Sequence, residues 1–173
     1  MENWGEEAYE EILDLCPLQT KEPFVGPGTY PDMDLFTIAT TAAERIGVTL
    51  PDALRAFGRF AFPHLAGKFP AYTKNATDAK SFLLGVDSVI HVEVRKLMPE
   101  AVTPSFEYSG DEAQRLNIRY QSKRKLCFFM EGLLDGLGDH FGSALVHKQT
   151  CCMHEGADHC DFEIQFEARE IAA

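Results

Sequence analysis

Residues 82–106 read FLLGVDSVIHVEVRKLMPEAVTPSF. Leu83, Val86, Ile90, Val94 and Leu97 recur at steps of three or four, the period of a helix that buries one stripe. The spacing predicts the chain's longest helix, from Thr77 to Met98, with Pro99 as its stop. His91 stands inside it, one position round from the stripe, where helical geometry surrounds it with Leu84, Asp87, Ser88, Val94 and Met98. A charged imidazolium is costly against so apolar a face, whereas a neutral imidazole there is able to ligate iron. A lone helical histidine is more often structural than a ligand, so the flanking sequence has to decide.

Upstream the chain reads as helical. Ala8, Ile12 and Leu15 give residues 6–15 a helical period that Pro17 closes. KEPFVGPGTYPD is a loop by its prolines and glycines, and Asp32 or Asp34 is placed to cap a helix that runs to about Ile46 before Gly47. Thr49, followed by Pro51 and Asp52, suits the N-cap of a third helix through LRAFGRFAF to Pro63. Downstream the period changes. Arg115 to Tyr120 alternates polar and apolar as a half-buried strand does, with a hairpin turn at SGD before it. Lys123 to Phe141 has helical spacing through Leu126, Met130, Leu133 and Leu137, and SALVHKQTCC and HCDFEIQF read as antiparallel strands joined at HEGAD. Helices first and strands last argue for an α+β fold.

The length of 173 residues, 45% hydrophobic, suits a single domain over residues 1–173. With 27 acidic against 16 basic residues the surface should repel phosphate backbones, which disfavours nucleic-acid binding. The N-terminus has no basic leader and no apolar run approaches about 18 residues, so the chain reads as soluble and cytoplasmic, with no membrane span. Five cysteines, an odd number, argue against a disulfide framework.

One cation cluster stands out in this acidic chain: YQSKRKLC, residues 120–127. By a period of two, Tyr120, Ser122 and Arg124 share a side, projecting two hydroxyls and a guanidinium toward a common point. Such a trio matches carboxylates, for which Arg offers a bidentate fork.

With GTYPD, LRAFGRFAF, FLLGVDSVIHVEVRKLMPEAVTPSF and RLNIRYQSKRKL in this order, the sequence resembles the H-NOX (haem nitric oxide/oxygen binding) family over nearly its whole length. The resemblance implies an α+β fold in which a helical N-terminal half, about residues 1–75, packs with a C-terminal part, about 76–173, that contains a four-stranded antiparallel sheet. Haem b is expected between the two, with His91 as proximal ligand, Tyr120, Ser122 and Arg124 on its propionates, and Pro104 pressing on the porphyrin. At the position where oxygen-binding members carry a distal tyrosine stands Phe129. Phenylalanine donates no hydrogen bond, and bound dioxygen needs a donor more than nitric oxide does, so an apolar pocket selects for nitric oxide. Family members usually begin with a further helix ahead of NWGEEAYEEIL. Either the start was assigned too late or the segment is absent, and its absence would weaken haem retention and expose apolar surface.

The resemblance also carries a zinc site of cysteines and a histidine found in some bacterial relatives. Cys127, Cys152 and Cys160 match three of its places, while Gln149 stands where the histidine is expected. Cys151, His147, His154 and His159 remain as candidates for the fourth ligand, with His147 or His154 preferred. Cys151 and Cys152 face opposite sides by strand alternation, so both on one ion would need a bulge. The plainer reading is a set of buried, reduced thiols, which suits Cys16 well. His64 and His140 read as surface or boundary residues.

These residues point to a nitric oxide sensor that signals to a separate partner, by resemblance a sensor histidine kinase or an enzyme of cyclic-di-GMP turnover, since no output domain fits in the length. The alternative is a zinc-containing redox or thiol-sensing module, or a ligand-binding one, without functional haem. Enzymatic activity is not expected: no nucleophile motif, paired carboxylates or phosphate loop is present.

Overall fold

The computed structural model describes residues 6–21, 23–25, 28–68, 70–110 and 112–168. The first residues of NWGEEAYEEIL, with whatever precedes them, and Asp111 of the SGD turn lie outside these. The chain forms two compact units, one up to Leu54 and one from Arg55 onward.

In the first unit, α1 (Glu6–Leu15) and α2 (Asp32–Ile46) follow the sequence pattern. Neither aspartate caps α2: the N-cap is Pro31, which has no side-chain cap. Asp34 instead turns back onto the preceding loop and is buried. It accepts hydrogen bonds from the Gln19 amide (2.8 Å), the Thr20 amide (2.9 Å) and the Thr20 hydroxyl (2.6 Å). These bonds hold its carboxyl below the usual carboxylate range, the Thr20 hydroxyl contributing most. α2 ends at Gly47, whose positive φ of 73° closes the helix in a conformation few other residues adopt.

α3 (Leu50–Lys68) begins where Thr49 predicts, the Thr49 hydroxyl accepting from the Asp52 amide at 3.2 Å. It does not stop at Pro63 but runs one further turn, with the proline inside. Proline lacks the N–H that would bond the carbonyl four residues back, here that of Arg59. That carbonyl lies in the crossing with α7 (Cys127–Phe141), 3.0 Å from where a Cβ on Gly136 would stand. The crossing is close throughout: a Cβ on Gly132 would come within 1.9 Å of the Arg55 carbonyl oxygen, and one on Gly58 within 2.2 Å of that of Phe129. Gly132 and Gly136, two of the three glycines that dilute the helical pattern of residues 123–141, thus let two helices touch backbone to backbone.

The expected single helix over 77–98 is three pieces. After α4 (Pro70–Asn75), Asp78 and Ser81 form a reciprocal capping box that starts α5 (Ala79–Leu84). A π turn follows over Val86–Ile90, and α6 (His91–Leu97) completes the run. The break falls at Gly85, where a Cβ would sit 1.8 Å from the Tyr72 hydroxyl; that phenol crosses over the chain to donate to the Phe82 carbonyl at 2.7 Å.

Four strands form one antiparallel sheet: β1 (Ser105–Ser109), β2 (Arg115–Gln121), β3 (Ser143–Cys151) and β4 (Cys160–Ala168), in the order β1-β2-β4-β3. This is the α+β architecture expected. β2 alternates strictly, burying Leu116, Ile118 and Tyr120. Beside them β4 buries Phe162 and Ile164, and both strands share a core with Met130, Leu134 and Leu137 of α7. Each of these large side chains contributes about 1.5–3 kcal/mol by leaving water.

Candidate haem pocket and thiol cluster

The π turn aims His91. Its wider turn, with the His91 amide bonded to the Val86 carbonyl five residues back, inserts an extra residue where an α-helix would have none. Asp87, one turn before, accepts from the imidazole Nδ1 at 3.1 Å, and Phe106 of β1 stacks on the ring at 5.3 Å. The side chain is 13% exposed. Burial pulls the imidazole below its ordinary range, against the opposing effect of Asp87. With Nδ1 held by a carboxylate, the neutral ring presents Nε2 as a ligand atom, the arrangement that orients metal-binding histidines.

His91 opens onto a cavity of about 360 Å³ within the second unit. Its lining is chiefly apolar. The walls from α3 and α7, which include Phe62, Leu65, Phe129, Met130, Leu133 and Leu137, contain no hydrogen-bonding side chain. The polar lining comes from the His91 helix, the 101–104 segment, β1, β2 and the residues just after β2: His91, Thr103, Tyr108, Tyr120, Ser122 and Arg124. Tyr108 is engaged, donating to the Leu83 carbonyl at 2.8 Å. Pro104 also reaches the cavity.

Tyr120, Ser122 and Arg124 therefore do converge, though not by strand alternation alone. β2 ends at Gln121, and the chain turns through Ser122–Lys125, with Lys125 at a positive φ of 51°, before α7 begins four residues later than its apolar spacing suggests. The Ser122 hydroxyl accepts from the Arg124 amide at 3.3 Å, and the Arg124 guanidinium donates to the Val102 carbonyl at 2.6 Å. Burial pushes the Tyr120 phenol up to about 12, the Ser122 hydrogen bond opposing, so it stays a donor. A planar, mostly apolar ring bearing carboxylates fits this donor set: apolar walls for the ring, an imidazole for a central metal, and a guanidinium with two hydroxyls for the acids.

The second cluster lies at the β3–β4 hairpin. Cys127, Cys152 and Cys160 bring their sulfurs within 4.8 Å of one another, Cys127 and Cys152 at 3.9 Å. The Met153 amide donates to the Cys160 sulfur and the His154 amide to that of Cys152. Burial raises both Cys127 and Cys160; the other two thiols add to the effect at Cys127, whereas the Met153 amide and the Cys127 thiol oppose it at Cys160. Neither preferred imidazole joins them. His147 is tied through Nε2 to Asp135 at 2.9 Å, and Asp135 lies eight residues along α7 from Cys127, about 12 Å of helix. His154 stacks on Phe128 at 5.1 Å with Nε2 bonded to the Lys125 carbonyl at 2.9 Å. Gln149 itself reaches the Cys127 sulfur.

Some participants escaped the sequence reading. Asp87 stood among the neighbours of His91, but the i−4 spacing was the signal that it orients the ring. Phe106 and the Val102 carbonyl gave no local signal, since the tertiary fold alone brings them in.

Fold and pocket together define a small α+β protein with an imidazole-bearing, chiefly apolar cavity. Residues 1–149 match the Haem-NO-binding family model, and the chain belongs to this H-NOX family of haem-based gas sensors. A crystal structure of an H-NOX protein from S. oneidensis in the Fe(II)NO ligation state is similar at a TM-score of 0.88 and 32% identity, over 95% of this chain and 91% of that one. The Fe(II) ligation state of a mutant H-NOX protein from the same organism gives 0.89 and 32%, over 98% and 91%. The Fe(II) unliganded H-NOX protein from K. algicida shares the fold at 0.87 and 23% identity, over 99% and 91%. No curated protein matches. Among the described residues no helix is long and apolar enough to cross a membrane.

Proposed function

We propose that this chain is a cytoplasmic, non-enzymatic nitric oxide sensor, holding haem b through His91 and its propionates through Tyr120, Ser122 and Arg124. The observation that carries the reading is the donor-free wall of α3 and α7, including Phe129, in a cavity whose other side offers a buried neutral imidazole. When bound, ferrous haem supplies the centre at which the gas ligates. His91 holds that centre, and the apolar walls exclude water. With Phe129 in place of a hydroxyl donor, they leave dioxygen without the hydrogen bond that its superoxide-like charge requires.

The chain's own contacts supply a route for the signal. His91 is the first residue of α6, so a displaced imidazole moves that helix. Arg95 of α6 donates to the Thr103 hydroxyl at 2.5 Å, and Arg124 holds the adjacent Val102 carbonyl. Pro104 follows at once. The residues proposed for the iron, the porphyrin face and the propionates are thus tied through one short loop, which would couple them in the two-state change that signalling needs. The output passes to a separate partner, a sensor histidine kinase or an enzyme of cyclic-di-GMP turnover.

A second cofactor reading rests on the three converging sulfurs: Cys127, Cys152 and Cys160 hold zinc, the thiolates matching its preference and the cation offsetting their mutual repulsion. Both preferred histidines are engaged elsewhere, so the three cysteines are the residues that would hold the ion. The sensor reading is tested by exposing the ferrous protein to nitric oxide and, separately, to air. A shifted absorption spectrum with nitric oxide and no stable oxy spectrum in air is expected, and a stable oxy complex would refute the selectivity.

A further inference from the structure

The hairpin divides its ligand-bearing side chains between two clusters. Cys160 and Cys152 turn toward α7 and Cys127, whereas Cys151, His159 and Asp161 turn the other way. The irregularity between Gln149 and Cys151 shifts the β3–β4 register, so that Cys151 pairs directly with Asp161. His159, just before β4, reaches the same side, its Nε2 in contact with Asp161. We propose that Cys151, His159 and Asp161 form a second metal site, for a borderline divalent transition ion of the zinc class, on the outer face of the hairpin and separate from the three-thiol cluster.

Three observations support it. One sulfur, one imidazole nitrogen and one carboxylate oxygen all lie within 4.8 Å of one another, and all three residues are half-buried. Around a tetrahedral zinc, ligand atoms stand about 3.3–3.8 Å apart, so modest side-chain rotation closes the set. The His159 Nε2 and Asp161 Oδ2 are already at 3.2 Å. Further, both nitrogen and oxygen ligands have orienting partners. Asp158 accepts from the His159 Nδ1, fixing the ring and leaving Nε2 for the ion. Arg119 holds Asp161 chiefly through Oδ1 at 3.1 Å, its contact with Oδ2 being longer at 3.5 Å, which leaves Oδ2 as the oxygen ligand. Finally, the charges match. The Cys151 thiolate, Asp161 and Asp158 set against Arg119 leave two negative charges, the complement of a divalent cation. Sulfur, imidazole and one carboxylate favour zinc or cobalt over magnesium or calcium, which prefer oxygen-only sets. The fourth position is left to water.

The site is independent of the haem and thiol-cluster readings, and its test removes the latter first. In the Cys152→Ser/Cys160→Ser protein, equilibrium dialysis against zinc chloride and metal analysis by mass spectrometry should find about one zinc per chain. Adding Cys151→Ser or His159→Gln should then weaken zinc binding at least tenfold, while Asp158→Asn should weaken it about 10–100-fold through the ring it orients. Circular dichroism checks that each variant is folded. Should the double variant fail to fold, Cys151→Ser alone in the otherwise unaltered protein must weaken one zinc-binding step at least tenfold in the same dialysis titration. No zinc in the folded double variant, or zinc indifferent to both Cys151→Ser and His159→Gln, would overturn the proposal.

Discussion

Replacing Gly132 by alanine tests the α3–α7 crossing that builds the apolar wall of the cavity. The new methyl would stand 1.9 Å from the Arg55 carbonyl oxygen, 2.8 Å from the Arg55 carbonyl carbon and 2.8 Å from the Arg59 nitrogen, whereas ordinary contact begins at 3.4 Å. All three atoms are backbone, so no rotamer change relieves the overlap. The helices must part by about 1.5 Å, enough to forfeit a large share of the dispersion contacts along the crossing. Over-packing of this severity costs about 3 kcal/mol, and the better helix propensity of alanine returns about 1 kcal/mol. The net loss of about 2 kcal/mol lowers Tm by about 4–8 °C for a chain of this size. Gly67, on the same α3 but with nothing within 4 Å of its would-be Cβ, is the control. The same substitution there should raise stability by about half a kcal/mol, propensity acting alone. Thermal melts followed by circular dichroism, at equal haem occupancy, measure both. A Gly132→Ala protein as stable as the unaltered one would refute the close crossing.

Phe129→Tyr places a phenol on the donor-free wall and should give a ferrous protein that holds dioxygen in air, slowing its dissociation by about tenfold or more, as stopped-flow spectroscopy would record. Asp87→Ala removes the carboxylate that fixes the His91 ring, and should raise the haem dissociation rate about 10-fold in a transfer assay to an apo-globin. Asp34, whose folded carboxyl is held low, contributes stability that is complete above the ordinary carboxylate value of about 4 and is lost as pH falls through the lower folded value. Asp34→Asn should therefore lower stability at pH 7 and flatten its dependence on pH below about 4, which acid titrations of the melt would reveal.

The α+β order was legible because the period changes from three or four to two near residue 115, and β2, which alternates without fault, was read to within a residue. What escaped was set by contacts distant in sequence. The stripe from Leu83 to Leu97 looks continuous, yet the Tyr72 phenol occupies the space beside Gly85 and the helix widens into a π turn there. Pro63 reads as a stop, but the helix survives it because α7 packs close along that turn. Tyr120, Ser122 and Arg124 do line one cavity, but not by strand alternation: the strand ends at Gln121, and a turn with Lys125 at positive φ brings the guanidinium round. For the thiols, the resemblance pointed to three sulfurs that the fold does bring together. It could not reveal that Asp135, far along α7, holds His147, or that the Lys125 carbonyl holds His154.

The central claim is that the imidazole of His91 ligates the iron, and one absorption measurement addresses it. Haem-reconstituted ferrous protein should show an intense Soret band, and His91→Gly should lose it and regain it on addition of imidazole. A His91→Gly protein whose haem spectrum matches the unaltered one without imidazole would contradict the account.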